Sequence, residues 1–108
     1  MSKYFEYTYL VTDAFYSFVC EDKYSYTQAA ARCLHDFRPE NDIGMLAVYI
    51  VVLSNAAKYK EDLARFKYAY DKLLNLCGEI STDMLLDENE REYFNDDLNY
   101  VKDRFRHI

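Results

Sequence analysis

The sequence predicts an all-α fold: a compact bundle of about five helices around a buried central helix at about residues 43–57. Three observations carry this. The run Ile43 to Ala57, IGMLAVYIVVLSNAA, has no charged or amide side chain between Met45 and Leu53. The whole chain holds only 2 Gly and 1 Pro, too few turn-formers for the many short strands of a sandwich or barrel. On either side of the central run, apolar residues recur at helical spacing.

On a helix, Ile43, Leu46, Ala47, Ile50, Leu53, Ser54 and Ala57 share one face of the central run. Met45, Val48, Tyr49 and Val52 cover the other. A helix apolar nearly all round is one buried on all sides. The run is also shorter than the ~20 residues needed to cross a bilayer. A buried strand is the rival reading, because Val48, Ile50, Val51 and Val52 put four β-branched residues in five positions. A cap at Asn41 or Asp42, just after Pro39, favours the helix.

With 108 residues, the chain reads as one helical domain, residues 1–108. A domain of this size buries roughly 65% of its unfolded surface, enough for one core.

The first helix is expected from Tyr4 to Asp22. Phe5, Tyr9, Thr12, Tyr16, Val19 and Cys20 form its inner stripe, widened by Leu10, Ala14 and Phe18. Its opening, YFEYTYLV, alternates enough to compete as a short strand. The second helix opens on a capping box, Ser25-Tyr26-Thr27-Gln28, in which Ser25 and Gln28 serve each other's backbone amides. Tyr26, Ala29, Ala30, Cys33, Leu34 and Phe37 line it, and Arg38-Pro39 stops it.

After the central helix, Lys58-Tyr59-Lys60 marks a turn. Glu61 or Asp62 starts a fourth helix, where acids suit the N-terminal dipole. Leu63, Phe66, Tyr70, Leu73, Leu74 and Cys77 form its stripe, and Gly78 stands where a left-handed cap is expected. Residues 79–86 connect, with one helical turn at 82–86. Asp87-Glu88-Asn89-Glu90 caps a last helix running to about Arg106, with Tyr93, Phe94, Leu98, Val101 and Phe105 inward.

Chemistry is sparse. The two histidines are His35 and His107, and His35 stands two residues from Cys33, so the two side chains point to different faces. No nucleophile, base and orienting group come together, so no catalytic residue and no enzyme activity are expected. No CxxC, HxxxH or ExxH spacing offers a metal site, and 87–90 lacks the Gly and the terminal Glu of a calcium loop. Gly44 and Gly78 are isolated, so no phosphate-cradling loop and no cofactor are expected. Cys20, Cys33 and Cys77 are odd in number and lie in helical segments. Met1-Ser2-Lys3 leads into a Tyr-rich segment with no apolar signal region. Free thiols and a cytoplasmic location follow as expectations.

Charge is the informative feature. The balance of 19 acids and 13 bases, net −6, argues against direct binding of nucleic acid and for a basic partner. Residues 79–99 carry eight acids against Arg91 alone, net −7, so the acidity is local and the rest of the chain is close to neutral. Glu88, Glu92 and Asp96 follow at i, i+4, i+8, where like charges cost a few tenths of a kcal/mol per pair. Acids near a helix start also serve the dipole, and that ordinary reading weighs equally. The functional reading takes Asp87, Glu88, Glu92, Tyr93, Asp96 and Asp97 as a partner-binding surface. The chain also has 12 Tyr and no Trp. Their ordinary role is at core edges, ring inside and hydroxyl in water; an interface role is the alternative.

Residues 24 to about 75 resemble a small, mainly helical immunity protein of bacterial polymorphic-toxin and contact-dependent growth inhibition systems. The likeness rests on Tyr24-Ser25, Ala29-Ala30, Leu34 and Phe37, then the acidic Glu40-Asn41-Asp42, then Leu46-Ala47-Val48-Tyr49-Ile50. The resemblance implies a cytoplasmic protein that binds and neutralises one cognate toxin, without catalysis or cofactor. Combined with the local acidity, the expected partner is a basic toxin nuclease domain, with no membrane contact. Two other readings stay open. One is a phage-type inhibitor or nucleic-acid mimic of a nuclease or DNA-binding effector. The other is a self-associating helical module.

Overall fold

The structure, a computed structural model, describes residues 2–59, 62–79 and 82–108, with the side chain of Asp83 outside the described set. The expected turn residue Lys60, the alternative helix start Glu61, and Ile80 and Ser81 of the connector lie outside it too.

Asn41 sets the start of the central helix. Its Oδ1 accepts from the Gly44 amide at 2.7 Å, and α3 (Asp42–Lys58) follows. Ten of its seventeen residues are buried, among them Leu46, Ala47, Ile50 and Leu53, but also Val48, Val51 and Val52. The β-branched run is therefore helical, because burial on every side outweighs a weak local preference. The helix packs against all of its larger neighbours: α1 (Lys3–Cys20), α2 (Tyr26–Asp36), α4 (Lys67–Glu79) and α6 (Glu88–Phe105). A cluster of buried residues runs through all five of these helices. No strand occurs among the described residues. The Cα radius of gyration, 13.1 Å, matches the ~13 Å of a compact chain this long.

Helix α1 starts at Lys3, with the Ser2 hydroxyl accepting from the Phe5 amide at 3.1 Å, so its opening is helix and not strand. Its buried residues are Tyr4, Val11 and Phe15. The expected inner stripe is misphased by about a third of a turn: Tyr9 is 62% exposed, and Tyr16 and Cys20 are also exposed. Both faces of α1 carry aromatic residues, so periodicity alone does not choose between them. Helix α2 begins with the expected box, Ser25 Oγ at 3.1 Å from the Gln28 amide and Gln28 Oε1 at 2.9 Å from the Ser25 amide.

The fourth helical segment opens as a 3-10 turn, Leu63–Phe66, and becomes α-helical at Lys67. Gly78 is not a left-handed cap: α4 runs through it to Glu79, and no glycine has positive φ. Gly44 does have a steric role. A Cβ there would stand 2.6 Å from Pro39 Cβ and 3.1 Å from a Tyr7 ring carbon. The start of α3 thus lies directly on the proline that ended α2. One turn, α5 (Thr82–Leu85), precedes α6. No helix is long and apolar enough to cross a membrane among the described residues.

Candidate functional site: the acidic helix and its groove

Helix α6 is built by its second capping box. The Asp87 carboxylate accepts from the Glu90 amide at 2.8 Å, and Glu90 Oε1 accepts from the Asp87 amide at 2.8 Å. Glu90 is 6% exposed, so one acid of the tract is spent inside the fold. Arg91, the lone base of the tract, turns its guanidinium back to the Leu86 carbonyl at 3.1 Å.

At 3.6 residues per turn the remaining side chains separate into faces. Phe94, Leu98, Val101 and Phe105 are buried against the core. Glu88, Glu92 and Asp96 are exposed on the opposite side, one turn (~6 Å) apart. None of the three forms an ion pair among the described residues. Tyr93 is not inward as expected. It is 57% exposed and lies with Asn89 and Asp97 on the flank that faces α1. The six predicted partner residues are thus divided. Asp87 holds the cap, Glu88, Glu92 and Asp96 form an outer row, and Tyr93 and Asp97 border a groove.

The groove has a volume of about 510 Å³, in the size range of small ligand sites. Phe5, Thr8, Tyr9 and Thr12 of α1 form one wall. Asn89, Tyr93 and Asp97 of α6 form the other, and Ile50, Val51, Ser54 and Asn55 of α3 lie between. The walls meet where Phe5 and Tyr93 pack edge to face, ring centroids 5.4 Å apart. Burial raises the pKa of Asp97 above the usual carboxylate value, and the charge of Asp96 adds to it. Two buried hydroxyls of the lining, Tyr4 and Ser54, have no hydrogen-bond partner among the described residues. Leaving such a group unpaired costs about 1–3 kcal/mol. The Tyr4 phenol is pushed far above its ordinary pKa by burial, then by the charges of Asp97 and Glu90. Tyr4 is core, 1% exposed. Tyr7 and Tyr24 are half-buried, the Tyr7 hydroxyl accepting from Asn41 Nδ2 at 3.3 Å and the Tyr24 ring stacked on Phe18.

Periodicity places Phe5, Tyr9 and Thr12 of the α1 wall in the core stripe and is silent on Thr8, so it does not mark them as groove residues. A usable signal was present: α1 has more aromatic positions than one buried stripe can hold.

A second cavity, about 540 Å³, lies between α2, α3 and α4. Its lining includes His35, Arg38 and Lys72, with Tyr49 and Tyr68. His35 is exposed and its Nδ1 is 2.9 Å from Asp36, while Cys33 is buried, so the two do point apart. Burial, with the charge of Asp36, pushes the Cys33 thiol up to about 12, and burial raises Cys77 too. These two thiols are poor nucleophiles. All three cysteines are free, but Cys20 is exposed and not a packing residue. No group of three His, Cys, Asp or Glu placed to hold a metal ion occurs among the described residues.

Comparison of the chain with protein-family models, with characterised proteins and with solved structures gives no match.

Proposed function

We propose that this chain is a non-catalytic, cytoplasmic inhibitor of the immunity type, which neutralises a basic toxin nuclease domain by covering it with α6. The observation that carries the reading is the outer row of α6. Glu88, Glu92 and Asp96 stand one turn apart, exposed and without an ion pair among the described residues. A protein stabilised only by its core gains nothing from three aligned like charges, which repel one another. A cationic partner surface removes that repulsion and is steered to the row from a distance.

The test is co-expression with a basic toxin nuclease domain sought in the genes adjoining this one, followed by purified binding. Glu88→Lys, Glu92→Lys and Asp96→Lys together should leave the circular dichroism spectrum intact. They should lower toxin affinity at least tenfold, about 1.4 kcal/mol, and abolish protection. Added salt should slow association of the native protein more than it speeds release. Unchanged binding by the triple variant would reduce the row to a solvated face. The same carboxylate row supports a second reading, a nucleic-acid mimic acting on a nuclease or DNA-binding effector. Inhibition of such an effector with no toxin gene alongside selects it.

A further inference from the structure

The groove between α1 and α6 differs from the outer row in chemistry as well as in shape. Among the described residues, its lining holds one charged side chain, Asp97, and no Lys, Arg or His. Three aromatic rings, Phe5, Tyr9 and Tyr93, stand in its walls, and two of them are mostly exposed. Exposed aromatic rings beside a carboxylate attract a cation. The carboxylate supplies the opposite charge and the ring faces supply the quadrupole. The lining also offers more acceptors than it uses. The Tyr4 and Ser54 hydroxyls have no partner among the described residues, but both are sealed beneath the groove surface and do not count as acceptors for a ligand. Asn55 donates its Nδ2 to the Val51 carbonyl at 2.9 Å, which leaves its Oδ1 as an acceptor.

We propose that this groove receives one arginine side chain projected from the protein partner, its stem against the Phe5–Tyr93 pair and its guanidinium at the Asp97 carboxylate. The proposal rests on reading α6 as the docking helix and adds to it a residue-specific contact. Arginine is selected over lysine on chemical grounds. A guanidinium carries five donors in a plane, stacks on aromatic faces, and sheds water more readily than an ammonium. A groove with rings, a carboxylate and the spare Asn55 oxygen matches that set, whereas a compact ammonium uses only part of it. The outer row discriminates less, because exposed carboxylates in water attract either cation.

The experiment titrates the full chain, isotope-labelled, with N-acetyl-arginine amide, N-acetyl-lysine amide and N-acetyl-citrulline amide, and follows the amide spectrum. Citrulline keeps the shape of arginine and removes the charge. The arginine probe should shift the amides of Asn55, Asn89, Tyr93 and Asp97 along a saturating curve, with Kd of order 1–10 mM for so small a ligand. Lysine should bind at least about fivefold more weakly and citrulline about tenfold or more. Asp97→Asn should weaken arginine about tenfold, and Tyr93→Ala should weaken it several-fold. The triple reversal of Glu88, Glu92 and Asp96 should change arginine binding by less than about threefold at moderate salt.

Equal, non-saturating shifts from arginine and lysine that centre on Glu88, Glu92 and Asp96 would overturn the groove assignment and leave the outer row in place. Saturating arginine binding that Asp97→Asn does not weaken would overturn it as well, and so would the absence of any shift. Toxin binding separates the two ideas. If Asp97→Asn binds toxin as the native chain does while the triple reversal does not, the groove fails and the docking helix stands. If neither variant loses toxin, the docking reading itself fails, whatever the arginine probe shows.

Discussion

Two clefts of nearly equal volume share α3 as their floor, and they carry opposite charge. On the α1–α6 side, Ile50, Val51, Ser54 and Asn55 underlie a groove whose one ionisable carboxylate is Asp97. On the α2–α4 side, Met45, Val48 and Tyr49 underlie a cavity edged by His35, Arg38 and Lys72. There Arg38 is held by its own chain, Nε donating to the His35 carbonyl at 3.0 Å, and the Lys72 amine sits 5.8 Å from the centre of the Tyr68 ring. The acidity of this protein is therefore polarised across the fold and not only along the chain. Among the described residues, the first cleft is lined by one acid and no base, and the second by bases and no acid. The core helix gives both clefts the same rigid base, and the edge helices give each its chemistry.

The harshest way to break this arrangement is to remove the shared floor. Ile50 is 1% exposed and lines the groove from the centre of α3. Ile50→Asp buries a charge with no partner, a cost of several kcal/mol against the ~5–15 kcal/mol that holds a domain together. The expected outcome is an unfolded chain, read as loss of the helical circular dichroism signal. A folded variant with both clefts intact would show that α3 is not the common base.

A milder comparison uses the two glycines, one close-packed and one open. Gly44 lies under the α1 side, pressed on Pro39 and Tyr7. The proline ring is stiff, so Gly44→Ala should lose about 1–3 kcal/mol through overpacking, despite the better helix propensity of alanine. Gly78 lies inside α4 with no atom within 4 Å of an added Cβ. Gly78→Ala should therefore gain about 0.5–1 kcal/mol. Urea midpoints at constant slope measure both. Equal signs would mean that the close-packed and open sides are not distinct.

The smallest expected effect concerns Asp97. Burial, then the neighbouring Asp96, raises its folded pKa, so the folded chain holds this proton to higher pH than the unfolded chain does. In that interval the folded state binds more protons, and stability falls as pH rises. Asp97→Asn removes the penalty. It should be slightly more stable than the native chain at neutral pH, with the gain fading as pH falls below the usual carboxylate range. The same substitution is expected to weaken arginine binding, so the groove gives up a little stability to keep its charge. Thermal melts at neutral and acidic pH check the sign.

The sequence alone determined the helical class, the place of α3 and both capping boxes. These depend on interactions within a few residues. Ser25 with Gln28 and Asp87 with Glu90 lie three apart, and the apolar run 43–57 needs no partner to be recognised as buried. The acidic tract and the i, i+4, i+8 row of Glu88, Glu92 and Asp96 were legible for the same reason. Only the tertiary structure decided which aromatic face of α1 turns inward, because Tyr4, Val11 and Phe15 compete with Phe5, Tyr9 and Thr12 on nearly equal terms. The rotation of α1 is fixed by the surface that α2, α3 and α6 leave for it, a quantity spread over residues dozens of positions apart. The same packing set Tyr93 on the groove flank, buried Glu90 in its cap, and let α4 run past Gly78. Helical periodicity locates a stripe, but the stripe that is buried depends on what the rest of the chain brings against it.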